Sequence, residues 1–246
     1  MYQKVKGIVL RESPYRDYDK ILTLLTVENG LMTLKARGVT RSKSLLKSAC
    51  QILTYSEFTV YERQGFHTIT EAQPIAMFAE LRTDIERLSL ASYFAQAAEV
   101  TAQADSPDPE LLSLLLHAMH ALCSGKPQLL VKAAFELRLA SITGYAPDVD
   151  GCAVCGSTEP DRFHVAAGEL RCAKCGSADG GLRMPVSAPT LAALRHVLGC
   201  EVGRVFSFSI GDASIKELSD ISETYLLTRL ERGFFTLDFY KSLLIT

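Results

Sequence analysis

Strand-like runs up to about residue 76, helical periodicity beyond Pro74 and two CxxC pairs together predict an α+β chain. The expected architecture is an N-terminal OB-fold-like β-barrel over 1–76 and an all-helical domain over 77–246. A four-cysteine zinc ribbon is embedded in the helical domain at about 148–182.

The barrel rests on five short runs rich in Val, Ile, Leu, Thr, Phe and Tyr: KGIVLRES, DKILTLLTVENG, LMTLKARGV, SEFTVYERQG and HTITEA. Ser13-Pro14, Asn29-Gly30 and Gln64-Gly65 punctuate them, and Glu28-Asn29-Gly30 is a hairpin turn because Asn and Gly tolerate positive φ. Five strands in so short a segment suggest a small closed barrel. The OB-fold is the commonest of that size, and an SH3-like barrel would give the same pattern.

After Pro74 the apolar period lengthens. Leu81, Ile85 and Leu88 fall at i, i+4 and i+7 with charges between them. A second helix is expected over about 108–123. A third runs over about 128–143 and stops at Gly144. Two more begin near Ser187 and near Asp212, the last ending at Gly233.

The cysteine module reads Cys152-x2-Cys155, then sixteen residues, then Cys172-x2-Cys175. Two intervening residues let both thiolates of a tight turn reach one ion at ~2.3 Å, and four thiolates close a tetrahedral shell. With no position left for water, one structural zinc is expected and metal-assisted hydrolysis is not. Gly156 and Gly176 each follow a second cysteine and suit the knuckles. RFHV and ELR, separated by Ala-Ala-Gly, read as a hairpin between them. Cys50, Cys123 and Cys200 lie in apolar surroundings and are expected to be buried thiols. His117 and His120 share a helix face but have no third ligand nearby.

A basic loop is the other chemical feature. KARGVTRSKSLLK carries Lys35, Arg37, Arg41, Lys43 and Lys47 without an acidic residue, while Gly38, Thr40, Ser42 and Ser44 add flexibility and hydroxyl donors. Cations mixed with small donors suit phosphate backbones. On an OB-like barrel such a loop lies where strands of nucleic acid bind. Arg11, Arg16 and Lys20 would extend the surface. Tyr15 and Tyr18 are expected to be packed at a strand end rather than to stack on bases.

The formal charge of −2 excludes a whole-chain polycation, so nucleic-acid binding must be local. No apolar run reaches the ~18 residues of a membrane span, and the N-terminal segment does not read as a signal peptide. Cytoplasmic localisation, reduced thiols and no membrane partner are the expectation. GxxxxGK[ST], GxSxG, GxGxxG and HExxH are all absent, so neither a nucleotide cofactor nor catalytic residues are expected.

These pieces in this order resemble the bacterial RecO recombination mediators, across essentially the whole chain. The carriers are KGIVLRES with Asp19, ENGLMTLKARGVTRSKS, Gly144-Tyr145-Ala146-Pro147 before CAVCG, the second CAKCG, and ERGFFTLDFYKSLL. The resemblance implies an OB-fold, a helical domain and a zinc ribbon within it. It also implies a non-enzymatic role: binding single- and double-stranded DNA, annealing complementary strands, and helping RecR load RecA onto DNA coated by single-strand-binding protein. Capture of that protein's acidic, apolar C-terminal tail is part of the implication. An apolar groove among the helices of 81–143, with Lys132 or Arg138 on its rim, would suit such a peptide. The competing reading is a zinc-ribbon/OB interaction factor acting in transcription or translation.

Overall fold

A computed structural model of the chain describes residues 1–176 and 180–244. Residues 177–179 of the expected ribbon and the last two of the expected helical domain lie outside it. The chain forms two compact units, one made of 1–119 with 234–246 and the other of 120–233.

The first unit begins with five strands: β1 (Tyr2–Tyr15), β2 (Asp19–Thr26), β3 (Gly30–Ala36), β4 (Tyr55–Arg63) and β5 (Phe66–Ala76). They close in the order β1-β2-β3-β5-β4. This is the five-stranded Greek-key closure of an OB-fold. Closure gives every strand two neighbours, and β1 meets its two mainly along different halves. The first half of β1, Tyr2–Ile8, pairs with β4, and Gly7–Tyr15 pairs with β2. An irregularity between Val9 and Arg11 bends the strand where it changes partner. The last seam is narrow, since β3 meets β5 in parallel only at Lys35–Thr68 and Ala36–Ile69. Inside sit Val5, Val9, Leu22, Leu24, Leu34, Ala36, Phe58, Val60 and Ile69.

The β2–β3 turn follows the sequence. Gly30 has φ 62°, and Thr26 Oγ1 accepts from the Asn29 amide at 3.1 Å and donates to the Gly30 carbonyl at 2.8 Å. The backbone of 103–106 presses on this glycine: a Cβ there would lie 2.4 Å from the Gln103 oxygen and 2.3 Å from that of Ser106.

Helix α1 (Ile85–Thr101) is capped by Asp84, whose Oδ1 accepts from the Glu86 and Arg87 amides. Leu81 lies before this cap in a 3-10 turn, so the expected helix starts one turn later than its apolar spacing suggests. Helix α2 (Pro109–Cys123) follows. The second unit contains α3 (Gln128–Ile142), the short strands β6 (Asp148–Cys152), β7 (Arg162–His164), β8 (Glu169–Arg171) and β9 (Arg183–Pro185), then α4 (Ala188–Gly199) and α5 (Asp212–Leu230). Gly144 takes φ 86° just past α3, as its C′ role requires. Helix α5 stops at Glu231, itself left-handed at φ 51°, two residues before the expected Gly233.

Helix α6 (Phe235–Leu243), not expected from the sequence, belongs to the first unit. Thr236 Oγ1 donates to Gln96 Oε1 of α1 at 2.5 Å, and Phe234 meets Tyr93 edge-on with ring centroids 5.4 Å apart.

Lys132 corrects an expectation. It is only 1% exposed, so it cannot rim a groove. Its Nζ lies 3.1 Å from Glu136 Oε2, 2.9 Å from Glu223 Oε2 and 3.2 Å from Ser219 Oγ, which ties α3 to α5. Ser222 Oγ donates to Glu136 at 2.7 Å. Burial pushes the Glu136 carboxyl up while the Lys132 ammonium opposes the shift. Removing one member of so buried a set would strand charge in the core. Arg138 is half-buried and donates to the Leu198 carbonyl at 3.1 Å.

Gly30→Ala would combine left-handed backbone strain with overpacking against 103–106. We expect a loss of roughly 2–4 kcal/mol, read as a lowered urea midpoint at unchanged m-value.

Candidate metal centre and nucleic-acid interface

The four small strands form a sheet in the order β6-β8-β7-β9, with β7 and β8 paired as the expected hairpin. Phe163 and Leu170 are its fully buried apolar pair, and Phe163 packs edge-on to Tyr225 of α5 at 5.3 Å. The first knuckle leaves β6 at Cys152, and the second follows β8. Each is a tight turn: the Gly156 amide donates to the Cys152 carbonyl at 2.8 Å, and the Cys175 amide to that of Cys172 at 2.9 Å. Gly156 is left-handed at φ 71°. Gly176 is not; it supplies space, because a Cβ there would crowd His164 Nε2 at 3.3 Å.

Two supports of this module carried no sequence signal. Arg195 of α4 donates to the carbonyls of Val149, Asp150 and Thr158, each at 2.9 Å, and so anchors the first knuckle. Asp161 Oδ1 accepts from the Ala173 amide at 2.7 Å and anchors the second. Neither residue belongs to a spacing motif; only the folded positions bring them to the turns.

The Sγ atoms of Cys152, Cys155, Cys172 and Cys175 all lie within 4.8 Å of one another. Those of Cys155 and Cys172 are 3.8 Å apart. A tetrahedron with ~2.3 Å metal–sulfur bonds has an edge of ~3.8 Å, so this set fits a metal ion. The thiols are also electrostatically incomplete without a cation. Amides, that of Cys155 foremost and then that of Cys172, lower the Cys152 thiol to about 6. Desolvation raises Cys172, and the hydrogen bond with Cys155 pushes Cys175 up to about 12. Metal ligation requires thiolates, so a divalent ion bound here would be taken up with release of thiol protons.

Among the described residues this is where potential metal ligands gather. His117 and His120 are exposed, and His117 Nδ1 lies 2.7 Å from the Ser113 carbonyl. Of the remaining cysteines Cys50 is buried, with its thiol pushed up to about 12 by desolvation. Cys123 and Cys200 are only half-buried.

The basic loop joins β3 to β4. Rather than hanging free it is pinned to the barrel by buried Val39, Ala49, Cys50 and Leu53. At its root Asp19 accepts from the Gly38 amide at 2.8 Å and lies 3.2 Å from Lys35 Nζ. The Gly38 bond, then Lys35 and Arg16, hold this carboxyl below its ordinary value. Lys35 thus has an acidic partner from outside its own segment. Arg37, Arg41, Lys43 and Lys47 are exposed. Arg16 is exposed beside Tyr15, with its guanidinium 5.3 Å from the ring. Arg11 is engaged by Glu99 at 2.8 Å and by Ser13 and Thr23. Lys20 is engaged by Glu12 at 2.7 Å.

Tyr15 and Tyr18 are 39% and 51% exposed, contrary to the packed positions expected. They lie against cations instead of the core: Lys35 stands over Tyr15 at 4.4 Å, and Arg41 over Tyr18 at 5.2 Å. Among the described residues no helix is long and apolar enough to cross a membrane.

Comparison with known proteins agrees with this architecture. Residues 1–78 match the family described as Recombination protein O N terminal, and residues 82–238 match Recombination protein O C terminal. The chain is 32% identical to the DNA repair protein RecO of Acetivibrio thermocellus, over 98% of this chain and 97% of that one. It is 27% identical to the protein of the same name from Bacillus cytotoxicus, covering 92% and 91%. A third, from Alkaliphilus metalliredigens, is 26% identical over 94% and 95%. With a barrel, a helical region and a four-cysteine cluster in this order, and family matches over nearly its full length, the chain belongs to the RecO family of DNA repair proteins.

Proposed function

We propose that this protein is a non-enzymatic recombination mediator: it binds single- and double-stranded DNA, anneals complementary strands and, with RecR, helps load RecA onto DNA covered by single-strand-binding protein. The observation that carries the reading is the pinned basic loop, with Arg37, Arg41, Lys43 and Lys47 exposed on an OB-type barrel. Those four and Arg16 are the phosphate contacts. Lys35 and Arg11 shape the surface from within their ion pairs.

Annealing by such a surface needs no nucleotide. Cations that neutralise one strand lower the repulsion met by its complement and raise the encounter rate. Most contacts must then fall on phosphates, so that bases stay available for pairing. Capture of the acidic tail of single-strand-binding protein belongs to the same reading, with a groove among the helices that does not use Lys132.

The four cysteines are the ligands of one structural zinc. The ion supplies charge that lets four thiolates coexist, and through them it fastens both knuckles to one point. Cys152, Cys155, Cys172 and Cys175 hold it, while Arg195 and Asp161 orient the turns.

Metal analysis of protein purified without added zinc should find about one zinc per chain. Cys155→Ser should lose metal and thermal stability together, and a chelated protein melting like the untreated one would refute a structural site.

Replacing Arg37, Arg41 and Lys43 by alanine should weaken binding to any DNA sequence. It should also reduce the salt slope by roughly 0.7–0.9 per lost phosphate contact, read by anisotropy across a salt series. A triple variant that matches wild type at every salt concentration would reduce the loop to ordinary surface.

Two dye-labelled complementary strands should anneal faster with the protein than without it, at low salt and equally with or without ATP. An ATP requirement, or no acceleration by protein that binds the strands, would favour the interaction-factor reading.

A further inference from the structure

The barrel register places a second group of side chains on its outer face. Cross-strand partners share a face of a sheet, as do residues two apart along a strand. Tyr2 pairs with Tyr61, Tyr61 with Thr68, and Thr68 with Lys35, so these four form one row around the barrel. Their neighbours Val60, Ile69 and Ala36 point inward, which sets this row outward. Two residues along, Arg63 pairs with Phe66 and extends the same face.

Phe66 is held out by geometry. Between Arg63 and Phe66 the hairpin turns on Gln64 and Gly65, both left-handed at φ 51° and 78°. Two positive φ angles in a two-residue loop make a tight turn with little freedom. Phe66 is 77% exposed and Tyr2 66%, and the Tyr2 and Tyr61 rings lie 5.0 Å apart, tilted by 45°. Large aromatic side chains gathered on a surface mark a binding site more often than scattered apolar ones do.

The group borders a cleft of about 740 Å³. Its lining includes Lys35, Arg37, Arg63 and His67 and not one carboxylate. Rings flanked by cations, without acids, suit a ligand with flat uncharged faces strung on an anionic chain. An acidic peptide would match the charge but leave several planar platforms without planar partners.

We infer that this face is a cleft for unpaired bases of single-stranded DNA, stacked on Tyr2, Tyr61 and Phe66, with adjoining phosphates held by Arg37 and Arg63. The inference rests on the proposed DNA-binding role of the barrel and adds base capture to a loop that touches phosphates only. Bases in a duplex are already stacked and cannot enter. The cleft therefore makes the surface prefer single strands, while the loop alone is indifferent to strandedness. Only the few bases in the cleft are withheld from pairing.

The test compares a labelled oligothymidylate with an abasic deoxyribose-phosphate oligomer of equal length, using the full chain and anisotropy across a salt series. Wild type should prefer the base-bearing oligomer by at least roughly 5- to 150-fold, the range for one stacked base. The double variant Tyr2→Ala, Phe66→Ala should lose most of that preference while keeping its salt slope. Because both side chains are largely exposed, it should melt like wild type. Tyr61→Phe should retain the preference that Tyr61→Ala loses. Equal affinity of wild type for the two oligomers, or an undiminished preference in the double variant, would overturn the cleft. The phosphate-binding loop would then stand, and the aromatic face would pass to a protein partner. Failure to bind either oligomer at any salt concentration would sink both readings.

Discussion

The two-residue parallel seam between β3 and β5 is the constraint on which the rest of the first unit depends. Without it the five strands would be an open, curled sheet with an exposed edge at β3 and another at β5. With it, alternate residues of every strand are committed to one interior, and the others to one continuous outer surface. The seam also fixes where β3 ends. One residue beyond Ala36 the chain enters the basic loop, and Asp19 at the start of β2 holds both Lys35 and Gly38 at that point. The direction in which the loop cations leave the barrel thus follows from a packing decision made in its core.

The second unit solves a different problem. Its ribbon is too small to bury much apolar surface, with Phe163 and Leu170 as the central pair of its sheet. It therefore borrows stability from α4 through Arg195 and from α5 through Tyr225, and its four clustered thiols could add a metal ion to these supports. Helices α3 and α5 are joined by a buried charge cluster rather than by apolar side chains alone. Such a cluster is poor glue, but it penalises misregister: sliding either helix by a turn would leave Lys132 or Glu136 without its partner.

Much of this was legible from the residues. The five strands, the paired CxxC turns and the hairpin between them all follow from short-range rules that need no partner. Helices α2 and α3 were also readable, from Pro and Gly punctuation and apolar density. What escaped was set by long-range contact. Helix α6 is only nine residues and is stabilised by α1, about 140 residues earlier. Lys132 looks like a surface lysine until α5 supplies Glu223 and Ser219. Tyr2, Tyr61 and Phe66 are scattered through the chain, and only strand register shows that they share a face. Asp19 and Arg195 are single polar residues whose roles arise from turns they do not belong to.

The return of α6 to the first unit also bears on the order of synthesis. The barrel and α1 emerge early, but the segment that covers Tyr93 follows only after residues 120–233 have been made. At ~5–20 residues per second that interval is on the order of ten seconds. During it the nascent chain carries a closed barrel beside a helix whose apolar side waits for its cover. The intervening unit must mature as a loop whose far end is still untied. The cover that Phe234 gives to Tyr93 is therefore among the last contacts the chain order allows to form.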